Sequence, residues 1–138
     1  MKFWDTSALI PLFVQEGRSA AYHALFERDA EIAVWWGTEI ECWSALARAQ
    51  RNGRFDARNV ELAAAALDAL RHSWFEITPS DEVRREARRL LRLHPLRAAD
   101  ALQLSAALVW SGRYEGYELV ASDEQLRQAA HLEGFIVV

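Results

Sequence analysis

The sequence predicts an α/β fold in which helices cover both faces of a parallel β-sheet. Five short, mostly apolar runs alternate with longer segments of helical periodicity. No hairpin turn joins consecutive runs, so neighbouring strands must be connected through helices by right-handed crossovers. The chain has 138 residues, 51% of them hydrophobic, which is enough to bury a sizeable core. We therefore expect one three-layer domain spanning residues 1–138.

The predicted strands are short, and each of the first four stops at a residue that interrupts the apolar pattern. These residues are Asp5, Gly37, Pro79 and Ser122. Proline cannot donate to a strand ladder, and the other three residue types favour turns. The predicted strands are Lys2–Trp4, Ile32–Trp36, Phe75–Thr78, Glu118–Ala121 and Phe135–Val138.

The segments between the strands carry helical spacing and helix-boundary residues. Pro11 is expected early in the first helix, where a proline is best tolerated, and Glu16-Gly17 separates that helix from the second. Asn52-Gly53 ends the third helix, and Gly134 ends the last. The predicted helices are Ser7–Gln15, Arg18–Arg28, Thr38 to about Asn52, Asp56–His72, Ser80–His94, Leu96–Trp110 and Glu124–Leu132.

Charge narrows the classes of function. The net charge is −4, which argues against a polyanionic substrate, because nucleic-acid binders usually carry a basic footprint. The arginines cluster, however, and a cation held by some of the acids would leave the remaining surface more basic than the total. An arginine-rich, solvated helix face explains any single arginine equally well. The two clusters are Arg48, Arg51, Arg54 and Arg58, and Arg84, Arg85, Arg88, Arg89 and Arg92.

Three further features of the sequence bear on the cellular compartment of the protein. No segment is apolar for long enough to span a bilayer, and the N-terminal run lacks the basic stretch and cleavage site of a signal peptide. The single Cys42 cannot form an internal disulfide and has no histidine at a useful spacing, so we expect a buried structural thiol. These features predict a cytoplasmic protein with no membrane partner.

Four acids occupy positions that a parallel sheet brings to one edge. Asp5 and Asp123 each follow a predicted strand directly, and Glu41 lies in the first turn of the helix after the second strand. Asp100 lies near the start of its helix, among alanines and leucines. The carboxyl ends of parallel strands and the helix starts that follow them share one edge, so these four carboxylates can converge. Converging carboxylates repel one another and must take up protons or bind a cation.

The ligand types of such a site indicate the metal. An all-oxygen cluster without cysteine or paired histidines suits a hard ion, Mg²⁺ or Mn²⁺, rather than zinc. One such ion, or two, can activate a water and stabilise the charge that builds up on a phosphodiester during in-line attack. This is the chemistry of a nuclease.

Most of these acids also have a purely structural interpretation. Thr38 and Glu41 fit a capping box, in which Glu41 only caps its own helix. Ser122 can cap the last helix, with Asp123 merely favourable to the helix dipole. Asp5 can be an N-cap or Asx-turn residue of the first helix.

The remaining acids differ in how well a structural role explains them. Asp100 has the weakest structural interpretation, because an acid among apolar residues is costly without a partner. Glu39 competes with Glu41 but points about 200° away around the helix axis, so only one of them can face the site. Asp81 and Glu82 are expected only to favour the dipole of their helix.

In their local contexts these acids resemble the PIN domain, and more closely the toxin component of VapBC-type toxin–antitoxin pairs. The resemblance covers essentially the whole chain and departs locally at Pro11, where relatives often have a basic residue. It implies a five-stranded parallel sheet of order 3-2-1-4-5, flanked by helices. The matching segments are Phe3–Leu9, Thr38–Arg48, Leu96–Leu108 and Val120–Leu126, running on to Phe135.

The resemblance also implies a Mg²⁺- or Mn²⁺-dependent endoribonuclease that binds one or two ions and cleaves RNA. Similar toxins are usually homodimers, and they are inhibited by an antitoxin that has a DNA-binding N-terminus and a C-terminal tail that wraps the toxin. Carried over residue by residue, the catalytic and metal-site acids are Asp5, Glu41, Asp100 and Asp123. The hydroxyls expected to support them, or to hold metal-bound water, are those of Thr6, Ser7 and Ser122.

Two other functions are compatible with the sequence. The chain can be a partner-binding PIN module with little turnover, or a phosphotransferase in which Asp5 is phosphorylated. The second is weakened by Ser7, where haloacid-dehalogenase-like phosphatases have a second aspartate, and by the lack of a lysine near the later acids. Trp35 and Trp36 end the second strand on opposite faces, so one of them can lie beside the site and stack on a base.

Overall fold

The computed structural model describes residues 1–14 and 19–138, so the predicted helix ends at Gln15 and Arg18 and the separating Glu16-Gly17 lie outside the described residues. The strands are β1 (Lys2–Trp4), β2 (Ile32–Trp35), β3 (Phe75–Ile77), β4 (Glu118–Val120) and β5 (Ile136–Val137). The helices are α1 (Thr6–Phe13), α2 (Ser19–Arg28), α3 (Thr38–Arg51), α4 (Ala57–Arg71), α5 (Asp81–Leu93), α6 (Ala98–Trp110) and α7 (Glu124–Leu132). None of these helices is both long and apolar enough to cross a membrane.

The strands form one parallel sheet of order β3-β2-β1-β4-β5. Phe3 of β1 pairs with Ala33 of β2 on one side and with Leu119 of β4 on the other, so β1 is the central strand. The predicted fold class, parallel pairing and strand order are confirmed. The strand order reverses around β1, which opens a crevice at the carboxyl edge of the sheet, and Asp5 follows β1 directly at this edge.

Side chains alternate across β1, and helices cover both faces of the sheet. Phe3 packs with Ala33 and Leu119 in a core cluster that includes residues of α5, α6 and α7. Trp4 points to the other face and packs against Tyr22 of α2. Phe3 and Trp4 are both fully buried, as expected for a parallel sheet between two helical layers.

Predicted boundaries agree to within a few residues, with two informative differences. The sequence predicts that Trp36 ends β2, but the strand ends at Trp35 and Trp36 lies in the following turn. Pro11 is the sixth of eight residues in α1 rather than an early one. A proline has no N–H for the carbonyl four residues earlier, and that carbonyl, of Ser7, accepts instead from the Ser122 hydroxyl at 3.3 Å.

A set of charged side chains, here called the basal ion-pair network, joins α5 to the C-terminal end of α7 and to the turn after α6. Arg89 donates from Nε to Glu86 at 2.9 Å and from both terminal nitrogens to Glu133. His94 Nε2 lies 2.8 Å from Glu133, and Arg113 pairs with Glu86. Burial opposes ionisation of Glu133, but hydrogen bonds from Arg89 and His94 outweigh it and hold the pKa of Glu133 below its usual range.

Candidate active site

Asp5 joins β1 to α1 at the centre of the carboxyl edge. Its backbone N–H donates to the Val120 carbonyl at 2.9 Å, and its side chain caps α1 by accepting from the Ser7 N–H at 2.9 Å and from the Ser7 hydroxyl. Only 6% of the residue is exposed. Burial raises the pKa of Asp5 to about 6 against the two Ser7 hydrogen bonds, and the charges of Glu41 and Asp100 raise it further. One side chain therefore acts as a helix cap and also lies near other acids.

Glu41 reaches the same region from the first turn of α3. Its Oε2 accepts from the Thr6 hydroxyl at 2.6 Å and from the Gln103 amide at 3.0 Å. The alternative capping box is not formed, because Gly37 is the N-cap of α3 and its cap has no side-chain hydrogen bond. Glu39 turns away and forms an ion pair with α4 at 3.0 Å. Only Glu41 of the two acids faces the site, as the helical spacing predicts.

A buried glutamine that sequence reasoning missed holds these groups together. Gln103 of α6 is 1% exposed, and its amide nitrogen lies 3.0 Å from Glu41, 2.8 Å from the Thr6 hydroxyl and 3.2 Å from the Thr38 hydroxyl. Its Oε1 is buried with no partner among the described residues. The available sequence signal is a polar residue in an apolar helix, three positions after Asp100 and so on nearly the same face.

The two later acids form no hydrogen bond with Asp5 or Glu41 among the described residues, and only Asp100 acts on Asp5 through its charge. Asp100 is partly exposed, accepts from the backbone at the start of α6 at 3.2 Å, and acts on Asp5 through its charge. Asp123 is exposed and caps α7 by accepting from a backbone N–H of that helix at 2.9 Å. The alternative in which Ser122 caps α7 is therefore wrong, because Asp123 is itself the N-cap.

The three predicted hydroxyls all lie within the hydrogen-bond network of the site. Thr6 donates to Glu41, and Ser7 donates to Asp5. The Ser122 N–H donates to the Ser7 hydroxyl oxygen at 3.0 Å. This bond joins the segment after β4 to the start of α1. A shift of Ser122 would therefore move the Ser7 hydroxyl, which donates to Asp5.

The acid site offers oxygen ligands, and no basic side chain of the described residues pairs with its carboxylates. Asp5, Glu41 and Asp100 form no ion pair with residues 1–14 or 19–138. As the side chains of those residues are placed, no three His, Cys, Asp or Glu residues are grouped closely enough to hold a metal ion. Each carboxylate instead accepts from a protein donor. The donor set itself, carboxylates with adjacent hydroxyls, fits a hard divalent ion.

Cys42 follows Glu41 in α3 and is buried. Burial raises the pKa of its thiol to about 12, and the charges of Glu41, Asp5 and Glu39 raise it further. The thiol therefore stays protonated at neutral pH, which agrees with the expected structural role and not with a nucleophile.

The tandem tryptophans at the end of β2 have different environments. Trp35 is 7% exposed and Trp36 is 52% exposed, and their rings meet edge to face at 6.4 Å. A Cβ on Gly37 would lie 2.6 Å from Trp35 Nε1, so this turn requires glycine. Of the pair, only Trp36 presents its ring to solvent, where a base could stack.

Comparisons with known proteins agree with this architecture. The profile of the PIN domain matches residues 2–132. A comparison with curated proteins found no match.

Three solved structures resemble the chain over nearly its whole length. PAE2754 from Pyrobaculum aerophilum is 27% identical, with a TM-score of 0.67 over 99% of this chain and 83% of that one. A toxin–antitoxin complex from Klebsiella pneumoniae is 18% identical, with a TM-score of 0.63 over 100% and 96%. VapC20 from Mycobacterium tuberculosis, a toxin that cleaves the sarcin–ricin loop, is 20% identical, with a TM-score of 0.69 over 99% and 97%.

Proposed function

The chain belongs to the PIN domain family, and from this premise we propose that it is the toxin of a toxin–antitoxin pair, an endoribonuclease that uses Mg²⁺ or Mn²⁺ to hydrolyse RNA. One observation carries the proposal. Asp5, buried at the switch point of the sheet, lies within electrostatic range of Glu41 and Asp100, and none of these carboxylates has a cation partner among the described residues. Burial and mutual repulsion both disfavour the ionised carboxylates, and a bound cation would remove that electrostatic cost.

The residues of the site have distinct tasks in this proposal. Asp5, Glu41, Asp100 and Asp123 would hold one or two divalent ions. A bound ion would supply water activation and would neutralise charge on the phosphodiester.

The neighbouring polar groups keep two of these ligands in place. The Ser7 hydroxyl orients the Asp5 carboxylate, and the Thr6 hydroxyl and the Gln103 amide orient Glu41. Asp123 would have to share its carboxylate between the helix cap and the ion.

The proposed partners come from the resemblance and from the similar structures. One of these is a toxin–antitoxin complex, and another is a toxin that cleaves the sarcin–ricin loop, which supports an antitoxin and an RNA as the partners of this chain. A homodimer, an antitoxin with a DNA-binding N-terminus, a cytoplasmic location and a single PIN domain over residues 1–138 belong to the same proposal.

RNA cleavage tests the site directly. We expect the wild-type protein to cleave single-stranded RNA with Mn²⁺ or Mg²⁺ and to lose this activity in EDTA. Asp5→Asn removes the central charge and should lower the rate at least about 100-fold, the upper range seen when the support of a metal site is lost. Asp81→Asn, at an exposed acid on α5, is the matched control and should leave the rate unchanged. Undiminished cleavage by Asp5→Asn would refute the site assignment.

A partner-binding module with little turnover is the second candidate, and one observation favours it. Each carboxylate already accepts from a protein donor, and no preformed metal cage exists among the described residues. Titration with Mn²⁺ separates the two candidates, because a nuclease site should raise the thermal stability in a way that Asp100→Asn abolishes. A phosphorylated Asp5 is disfavoured, since the residue is buried and its Oδ2 accepts from both the N–H and the hydroxyl of Ser7.

A further inference from the structure

A pocket of about 260 Å³ opens beside the acid site, between α1 and α3. Its lining includes Ser7 and Ser122, the two serines that join the Asp5 network, and it also includes Arg48 and Arg54. The pocket therefore shares part of its lining with the acid site and adds positive charge next to it.

The position of Arg48 follows from the geometry of α3. Seven residues separate Glu41 from Arg48, which is close to two full turns, so both side chains leave the helix on the same side. At 1.5 Å per residue the two positions lie about 10 Å apart along the axis. Arg48 is exposed and has no ion pair with residues 1–14 or 19–138, so its guanidinium can meet a ligand that also reaches Glu41.

We propose that this pocket binds a backbone phosphate of the RNA, adjacent to the phosphate that is cleaved. The inference rests on the proposed nuclease function and adds a subsite to it. A guanidinium presents a planar fork of N–H donors that matches two phosphate oxygens. Because the two helix positions are about 10 Å apart along the axis, the pocket is assigned to a phosphate other than the one held at the acids. An acidic site repels a polyanion, and the positive charge of Arg48 offsets that repulsion where the strand enters or leaves.

Binding without cleavage tests the pocket. The affinity for a short single-stranded RNA is measured by fluorescence anisotropy in EDTA over a range of salt concentrations. Arg48→Ala should weaken binding about tenfold, the loss expected for one charge-assisted partner. The slope of log affinity against log salt should fall in magnitude by about 0.7. Arg85→Ala removes the same charge from an exposed position on α5 and should change neither quantity.

A neutral linkage locates the phosphate. In a 2′-O-methyl oligonucleotide, a methylphosphonate placed next to the mapped cleavage position should weaken binding to the wild-type protein about tenfold. It should have no further effect on Arg48→Ala, because the partner of that phosphate is already gone. Additive losses would overturn the assignment, as would equal RNA affinities for Arg48→Ala and Arg85→Ala.

Other outcomes separate this inference from the function on which it rests. If Arg48→Ala spares RNA affinity but abolishes binding of a poly-glutamate peptide, the pocket takes an acidic protein segment and the phosphate assignment is overturned. If the wild-type protein cleaves RNA, Asp5→Asn does not, and Arg48→Ala binds normally, only the pocket is refuted. If RNA binding depends on Arg48 but Mn²⁺ never induces cleavage, the phosphate assignment stands and the nuclease proposal fails.

Discussion

The acid site and the basal ion-pair network both bury carboxylates, but they satisfy them in opposite ways. In the basal network, Arg89 and His94 meet Glu133 and hold its pKa below the usual range. In the acid site, hydroxyl and amide donors meet Asp5 and Glu41, and the pKa of Asp5 rises to about 6. The basal network is electrostatically complete, whereas the acid site keeps a negative charge that an external cation can neutralise.

The largest effect on stability should come from breaking the basal network. Glu133→Gln leaves Arg89 and His94 facing a neutral amide in a mostly buried position. We expect the free energy of unfolding to fall by about 3 kcal/mol, as for a buried pair that loses one partner. Urea unfolding measures the change, and Glu61→Gln, at an exposed position of α4, is the control. Equal stability of the two variants would show that the network contributes little.

The acid site should respond to pH in the opposite sense. Because folding raises the pKa of Asp5 from 3.8 to about 6, the folded protein binds the extra proton, and stability without divalent ions should increase as pH falls from about 7 towards 4. We expect a gain of about 2 kcal/mol relative to Asp5→Asn, which lacks this titration. The lowered pKa of Glu133 acts the other way, since its contribution is lost as pH falls below the usual glutamate range. A pH profile of Asp5→Asn parallel to the wild-type profile would contradict the comparison.

The smallest effect should follow from removing the amide that supports Glu41. Gln103→Leu keeps the volume in α6 but removes one of the two donors to Glu41 and the donor to the Thr6 hydroxyl oxygen. We expect a loss of about 1 kcal/mol in stability. RNA cleavage should fall about tenfold, with weaker Mn²⁺ binding. Gln50→Leu on the exposed face of α3 is the control, and a cleavage rate no lower than that of the control would assign Gln103 to packing alone.

Sequence patterns were sufficient for the fold and for the position of Asp5 at the end of β1. Strand order and parallel pairing are confirmed, and Asp5 directly follows the central strand as predicted. The exact helix caps were harder to predict. Ser122 and Asp123 both fit a cap, and Thr38 competes with Gly37, because adjacent residues differ only in backbone angles that the local pattern does not specify.

By itself the sequence determined the alternation of strands and helices and the arrival of Asp5 at the carboxyl edge, because apolar periodicity and strand ends are local properties. Only the tertiary structure decided that Gln103 donates to Glu41, since the two residues are far apart in the chain and their contact depends on how α3 and α6 pack. The same is true of Ser122, whose hydroxyl meets the carbonyl that Pro11 leaves free. Side-chain direction across packed elements is a property of the assembled fold, and it brought Glu41 and Asp100 within electrostatic range of Asp5, a buried acid that capping alone could have explained.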